Sequence, residues 1–325
     1  IMTGTGFIND PSEIWNLLDF LGGRDLVPSF NKFKATYCKM ERQGPYLRVA
    51  GILPHMKDEF IGITRRVGVR RTLTETHPNI AEPFFTRINV ELNAIQRKMY
   101  DDLMDQLSTL DQQGVPLHAA NVLVLLNRLR QVTVATPKVV REYPDPETGA
   151  RKVEIELVEP SSKLDALMEL IEGLEWDNDP DGIRQQLVVF SNFKDPINLA
   201  CARFKKAGIS YIRMDASDSE SVRYHKWKVE WPKKEHQVFI CTLQLGSESI
   251  NLSSAQRCVF LDRSWSPKDN IQGIGRVRRP GQLGVTQVIN IEAEGTVDQY
   301  VEGKVNRKTG WFKEIFHPED NGNGA

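Results

Sequence analysis

After Lys163 the chain breaks into five short, nearly continuous apolar runs separated by longer amphipathic stretches. The runs are Leu187 to Asn192, Ile209 to Met214, Gln237 to Thr242, Arg257 to Asp262 and Val285 to Ile291. Runs this apolar read as strands covered on both faces. With helical stretches between them, they restrict the fold to a parallel sheet wound with helices on either side, an α/β lobe. In such a sheet a ligand gathers past the carboxyl ends of the strands. There the sequence places Ser191-Asn192, Asp215 to Ser217, Thr242 to Glu248, and Asp262 to Trp265.

Upstream the texture is different. Residues 1–21 read as a polar loop feeding a helix, which starts from a Ser12 cap or from Asp10-Pro11 and carries Ile14, Leu17, Leu18 and Leu21 at helical spacing. Gly4-Thr5-Gly6 resembles the start of a dinucleotide fingerprint, but Asn9 occupies the place of the third glycine. From Gly22 to Ala135 the pattern predicts a helical module, with its longest periodic stretches at Leu92 to Leu107 and from Asn121. Arg65, Arg66, Arg70 and Arg71 cluster within it, suited to a phosphate path or to a solvated face. Residues 136–160, broken by Pro137, Pro144, Pro146, Gly149 and Pro160, predict a strap between domains with one hairpin about Pro144 to Gly149. The sheet lobe then fills 161–316, and 317–325 reads as a disordered tail.

With 325 residues, 40% of them hydrophobic and 26% charged, the chain can build two packed cores. A formal net charge of −1 argues against bulk coating of nucleic acid, so any such contact has to come from a local groove. Cys38, Cys201, Cys241 and Cys258 show no C-x-x-C pair and no zinc spacing, and read as buried thiols. The six histidines are scattered, with no H-E-x-x-H. Asp177, Asp179 and Asp181 alternate as in a calcium loop but lack its closing Glu, so no metal site is expected. No apolar run is long enough for a membrane span, and no signal segment opens the chain. The expectation is an intracellular protein, cytoplasmic or nuclear and not secreted, without membrane contact. Because the first residue is Ile1, the chain is expected to start inside a longer product.

Ser266 to Gln282 carries the sharpest chemistry. Ser266, Pro267 and Asp269 supply an N-cap, a first-turn proline and a capping-box acid, and Pro280-Gly281 stops the helix. Gln272, Arg276 and Arg279 then fall at i, i+4 and i+7 on one face, which suits phosphate. Gly273 and Gly275 each cost about 1 kcal/mol against alanine within a helix, a cost best explained by the close approach of other atoms.

The order T-G-T-G-F-I-N-D, L-V-V-F-S-N, Y-I-R-M-D-A-S, C-T-L-Q-L-G-S-E-S-I-N-L, L-D-R-S-W-S-P and Q-G-I-G-R-V-R-R-P-G-Q resembles the later motifs of the Swi/Snf-type ATPases of helicase superfamily 2. R-L-R-Q from Arg128 and S-S-K-L-D-A-L from Ser161 also look like that family's landmarks, so the resemblance covers nearly the whole chain. It implies a RecA-like lobe preceded by a helical insertion module, with residues 1–21 as the tail of a first ATPase lobe. It also implies ATP with Mg2+ sandwiched between two lobes, double-stranded DNA as the track, and Arg276 and Arg279 as arginine fingers beside Gln272. Gly246, Glu248 and Gly275 would line the nucleotide, while Thr242, Gln244, Trp265, Ser191, Asn192 and Ser217 would meet the DNA.

The chain departs from that pattern at Gly6 and Ile8, at Gln244 where an arginine often stands, at Ala216 in place of a glycine and at Arg278 in place of a histidine. It has no G-x-x-x-x-G-K-[ST] and no D-E-x-H box, so the resemblance implies that an N-terminal lobe supplies the phosphate-cradling lysine and the magnesium carboxylate. The expected function is the C-terminal half of a DNA-dependent ATPase that translocates on duplex DNA, inactive without its first lobe. The alternative is a binding module that only docks DNA or a partner.

Overall fold

The computed structural model describes residues 10–43, 46–68, 71, 73–112, 119–144, 151–174, 185–246, 250–282 and 284–299. They form two compact units, one of residues up to Thr76 together with Trp265–Lys268, the other of His77–Ser264 and the residues from Asp269 on.

The first unit opens at Asp10, whose Oδ1 accepts from the Ser12 amide at 2.8 Å and its hydroxyl at 2.5 Å. Of the two starts the sequence allowed, Asp10-Pro11 is therefore the one used. Helices α1 (Ile14–Leu26) and α2 (Phe30–Tyr37) lead into a hairpin of β1 (Cys38–Gln43) and β2 (Tyr46–Ile52), then α3 (Lys57–Val67) and the single turn α4 (Leu73–Thr76). Gly23 interrupts α1 at φ 58°, a conformation that glycine adopts without steric cost. Ile14, Leu18, Val27, Phe33, Tyr37, Phe60, Ile61 and Ile63 build the core. Asp58 and Glu59 in the first turn of α3, with Arg65 and Arg66 in the last, match its dipole. Both arginines are exposed.

The second unit contains, in order, β3 (Phe84–Val90), α5 (Ala94–Gln112), α6 (Ala119–Val134), β4 (Thr136–Pro144), β5 (Arg151–Val158), α7 (Ser162–Glu172), β6 (Leu187–Ser191), α8 (Lys194–Ala207), β7 (Tyr211–Met214), α9 (Glu220–His225), β8 (Val238–Thr242), α10 (Leu243–Gly246), β9 (Arg257–Phe260), α11 (Pro267–Val277) from Asp269 on, and β10 (Gln287–Ala293). Six strands form one parallel sheet in the order β3-β10-β9-β6-β8-β7. Alternate residues of each strand face opposite sides. Val189, Ile240, Val259 and Ile289 pack with Leu164, Leu167, Ile197 and Phe204 of α7 and α8. Phe190, Phe239, Cys258 and Val288 pack with Trp231, Leu243, Leu252 and Val277 on the other side. Both faces are covered, as the apolar runs required.

Residues 22–135, expected to be helical, also carry strands. The hairpin lies in the first unit, and β3 forms the edge of the sheet of the second. That edge strand has one half-buried side, Ile88 and Val90 against the core, while Phe84 and Phe85 stay exposed, so its apolar signal is diluted. The 136–160 strap is an antiparallel ribbon of β4 and β5, from Thr136 opposite Val158 to Pro144 opposite Arg151. The turn expected at 145–149, the aspartates at 177–181, Arg70 and the 317–325 tail lie outside the described residues.

Candidate nucleotide and nucleic-acid site

The sheet ends in a buried carboxylate. Asp262 follows β9, and its two oxygens collect the Ser191 hydroxyl at 2.6 Å, the Asn192 amide nitrogen at 3.0 Å, the Asn192 side-chain nitrogen at 2.5 Å and Arg130 Nη2 at 3.2 Å. The same Arg130 nitrogen donates to the Arg263 carbonyl at 2.8 Å, and the guanidinium lies 5.4 Å from the Phe193 ring centre. Arg130 and Asp262 are both buried. A charge taken out of water needs this number of partners to be tolerated. Two residues further on, Ser264 is held by α11: its amide donates to Asn270 Oδ1 at 2.9 Å, its carbonyl accepts from Asn270 Nδ2 at 2.9 Å, and its hydroxyl donates to Asp269 at 2.9 Å. A parallel anchor lies below, where the buried Lys163 ammonium donates to the Leu261 carbonyl at 2.8 Å and pairs with Asp298 at 2.6 Å.

Helix α11 starts at Pro267, as its cap signals predict, but the carboxylate of Asp269 turns to Ser264. It stops at Val277, two residues before Arg279. The residue before a proline is disfavoured in helical conformation, so Arg279 leaves the helix ahead of Pro280. One further bond, from the Arg278 amide to the Ile274 carbonyl at 2.9 Å, continues the turn, and Arg279 Nε reaches back to the Gly275 carbonyl at 3.0 Å. Gln272, Arg276 and Arg279 are all half-buried. Burial draws the Arg276 guanidinium below its ordinary pKa and the charge of Arg279 adds to this; burial acts the same way on Arg279. Two cations thus stand near one another with part of their water removed, an arrangement that favours an anion.

The two glycines of α11 answer to different neighbours. A Cβ on Gly273 would meet Leu243 Cδ1 at 2.8 Å and the rings of Phe260 and Phe190 at 3.6 and 3.7 Å, so this glycine lets the helix lie on the strand ends. A Cβ on Gly275 would meet nothing within 4 Å. The helix therefore keeps a small, open position immediately before Arg276.

The other expected residues divide. Ser191 is fully buried and spends its hydroxyl on Asp262; Asn192, half-buried, spends its amide there too. Ser217 is exposed, with its amide on Asp215 Oδ1 at 2.8 Å and its hydroxyl on the same oxygen. Those bonds and the charge of Arg213 hold the Asp215 carboxyl down at about 2. Thr242 ends β8 half-buried, Gln244 is exposed on α10 and Gly246 closes that turn, while Glu248 lies outside the described residues. Trp265 is half-buried and belongs to the first unit. All four cysteines are buried free thiols; burial raises Cys38 and Cys201 to about 11 and pushes Cys241 and Cys258 higher still. Among the described residues no group of His, Cys, Asp and Glu could hold a metal, and no helix is long and apolar enough to cross a membrane.

Residues 162–281 match the helicase conserved C-terminal domain. The chain resembles the C-terminal part of the Fun30 ATPase domain, with a TM-score of 0.55 at 17% identity over 70% of this chain and 90% of that one. It likewise resembles the Sulfolobus solfataricus SWI2/SNF2 ATPase C-terminal domain, with a TM-score of 0.50 at 19% identity over 72% and 90%. Residues 162–281 are a helicase conserved C-terminal domain, on a fold shared with the SWI2/SNF2 ATPase C-terminal domain. An uncharacterized ATP-dependent helicase of Mycoplasma pneumoniae is 25% identical to this lobe over 301 residues, which is 92% of this chain and 26% of that protein. The chain spans from 10% to 28% of the length of such curated relatives. Arg276 and Arg279 both lie within the matched segment, as does Asp262, whose cluster neither periodicity nor motif spacing announced. Arg130 sits in the R-L-R-Q landmark, but its partner lies 132 residues on.

Proposed function

We propose that this lobe completes the nucleotide site of a DNA-dependent ATPase that moves along duplex DNA, working with a first lobe that carries the phosphate-cradling lysine and the magnesium carboxylate. The observation that carries this reading is the pair of half-buried guanidiniums, Arg276 and Arg279, following an open glycine at the end of a helix held at its start by Ser264, Asp269 and Asn270. The residues fit ATP: two permanent cations with planar donor forks suit the equatorial oxygens of a transferring phosphoryl group. Magnesium, when bound, neutralises charge on the β- and γ-phosphates. The task of this lobe is to bring Arg276 and Arg279 against the charge that grows as the γ-phosphoryl group leaves, with Gln272 one turn earlier beside it. Bound nucleotide would meet backbone of the Thr242 to Gly246 turn and the Gly275 position. Duplex DNA would run past the exposed rim of Gln244 and Ser217, with Trp265 as a further contact, whereas Asn192 has both its backbone N–H and its side-chain amide committed to Asp262. Such a protein acts inside the cell, in the cytoplasm or nucleus.

The test is phosphate release from ATP with and without duplex DNA, in the complete two-lobed protein and in its Arg276→Ala variant. The expected result is DNA-stimulated turnover that falls by about 10³ or more in the variant, with unchanged melting. Turnover indifferent to Arg276 would return the lobe to the binding-module reading, for which the uncharged, exposed Gln244 would be the first residue to examine.

A further inference from the structure

The R-V-R-R sequence holds three arginines, and the second of them does different work. Arg278 Nε donates to the Ala81 carbonyl at 3.0 Å, while its Nη2 donates to the Ile80 carbonyl at 3.4 Å and to Glu82 Oε1 at 2.9 Å. Its side chain is 13% exposed, against 68% for Glu82. The segment it grips leads directly into β3, whose Phe84 amide bonds the Thr286 carbonyl at 3.1 Å. Helix α11 needs such a grip. Its two glycines weaken it, and it runs for only 11 residues before Gly281 turns the chain at φ 93°. The start is clamped through Ser264, and the Arg276 carbonyl accepts from the Leu252 amide at 2.8 Å. Arg278 supplies a clamp at the other end from a segment nearly 200 residues away in sequence. Glu82 also sets a negative charge beside one of three crowded cations.

We infer that Arg278 is a positioning residue: by gripping Ile80, Ala81 and Glu82 it fixes the last turn of α11, and so the stance from which Arg276 and Arg279 reach phosphate. This rests on the finger reading of those two residues. Three acceptors on one side chain call for the guanidinium fork; a histidine, the residue that commonly stands here in the family, has one donor when neutral and two when charged. The clamp is thus a device of this chain's own sequence, acting on a motif it shares.

The experiment is a graded series, Arg278→Lys, Arg278→His and Arg278→Ala, with two readouts. Backbone hydrogen exchange on this 325-residue chain reports on the amides of Arg276 to Arg279, without reference to catalysis. Exchange is expected to quicken in the order Lys, His, Ala, by about tenfold at the alanine end. In the complete protein, ATP turnover should fall in the same order, with kcat reduced at least tenfold at Ala, the KM for ATP within twofold, and Lys partly restoring the rate. A residue that only stabilised the fold would lower the melting temperature and leave kcat of the folded fraction unmoved. Unchanged exchange in Arg278→Ala overturns the clamp, and quickened exchange with unchanged kcat overturns its bearing on the fingers. Absence of turnover in the wild-type complete protein would instead strike the functional reading, with exchange still deciding the clamp.

Discussion

Arg130 and Arg276 both belong to the carboxyl rim of one sheet, and the same guanidinium chemistry is turned inward in one and outward in the other. Arg130 is closed in by a carboxylate, a backbone carbonyl and an aromatic ring, all supplied by the lobe itself. Arg276 has a second cation nearby and an unfilled glycine position one residue before it. The difference lies in what the strand ends offer: β9 is followed by Asp262, which accepts from Ser191, Asn192 and Arg130, while only Val277 and Arg278 stand between Arg276 and Arg279. Ser191 and Asn192 fall on the inward side of this division. Residue types that a motif assigns to ligand contact are, in this lobe, the donors that satisfy a buried charge.

The comparison breaks most visibly at Asp262. Asp262→Ala leaves the Arg130 charge buried and strips the partners of Ser191 and Asn192, and should destabilise the second unit by about 3–5 kcal/mol. At a few degrees per kcal/mol for a unit of this size, melting should fall by about 10 °C, read by calorimetry or circular dichroism. Arg276→Ala, by contrast, should cost almost no stability. Equal losses from the two substitutions would dissolve the distinction between an inward and an outward arginine.

The glycines sharpen it at a smaller scale. Gly273→Ala forces a methyl against Leu243 in a fully packed position and should cost about 1–3 kcal/mol. Gly275→Ala meets open space and gains helix propensity, so it should be neutral or stabilise by up to about 1 kcal/mol. If Gly275 instead makes room for nucleotide, the same substitution should raise the KM for ATP in the complete protein. A paired denaturant titration and steady-state assay separates the two. A destabilised Gly275→Ala with normal KM would show that its freedom serves the backbone.

The sequence made the inner strands legible because they are apolar on both faces, and it made Arg276 and Arg279 legible because their spacing is local. It did not reveal β3, whose partner β10 lies about 200 residues on and whose first two residues, Phe84 and Phe85, are both exposed. Nor did it reveal Arg130 with Asp262 or Arg278 with Glu82, since a pairing across 132 or 196 positions leaves no mark in either neighbourhood. Gly273 and Gly275 look alike in the sequence, and only the side chain of Leu243 tells them apart.

The smallest effect tests whether the inward network works through charge or through shape. At the end of β7, Asp215 accepts from the Ser217 amide and hydroxyl beside Arg213, and its carboxyl is held at about 2, below its ordinary 3.8. A depressed carboxylate stabilises the fold above its unfolded pKa and loses that contribution as pH falls toward the folded one. Asp215→Asn keeps the oxygen that caps the turn and removes only the charge. After discount for solvent screening it should cost about 1 kcal/mol at pH 7. The gap between wild type and variant should hold from pH 7 down to about pH 4 and shrink between there and about pH 2, followed by urea titrations at stepped pH. A gap that stays constant through that window would mean the turn depends on the shape of residue 215 and that its charge is incidental.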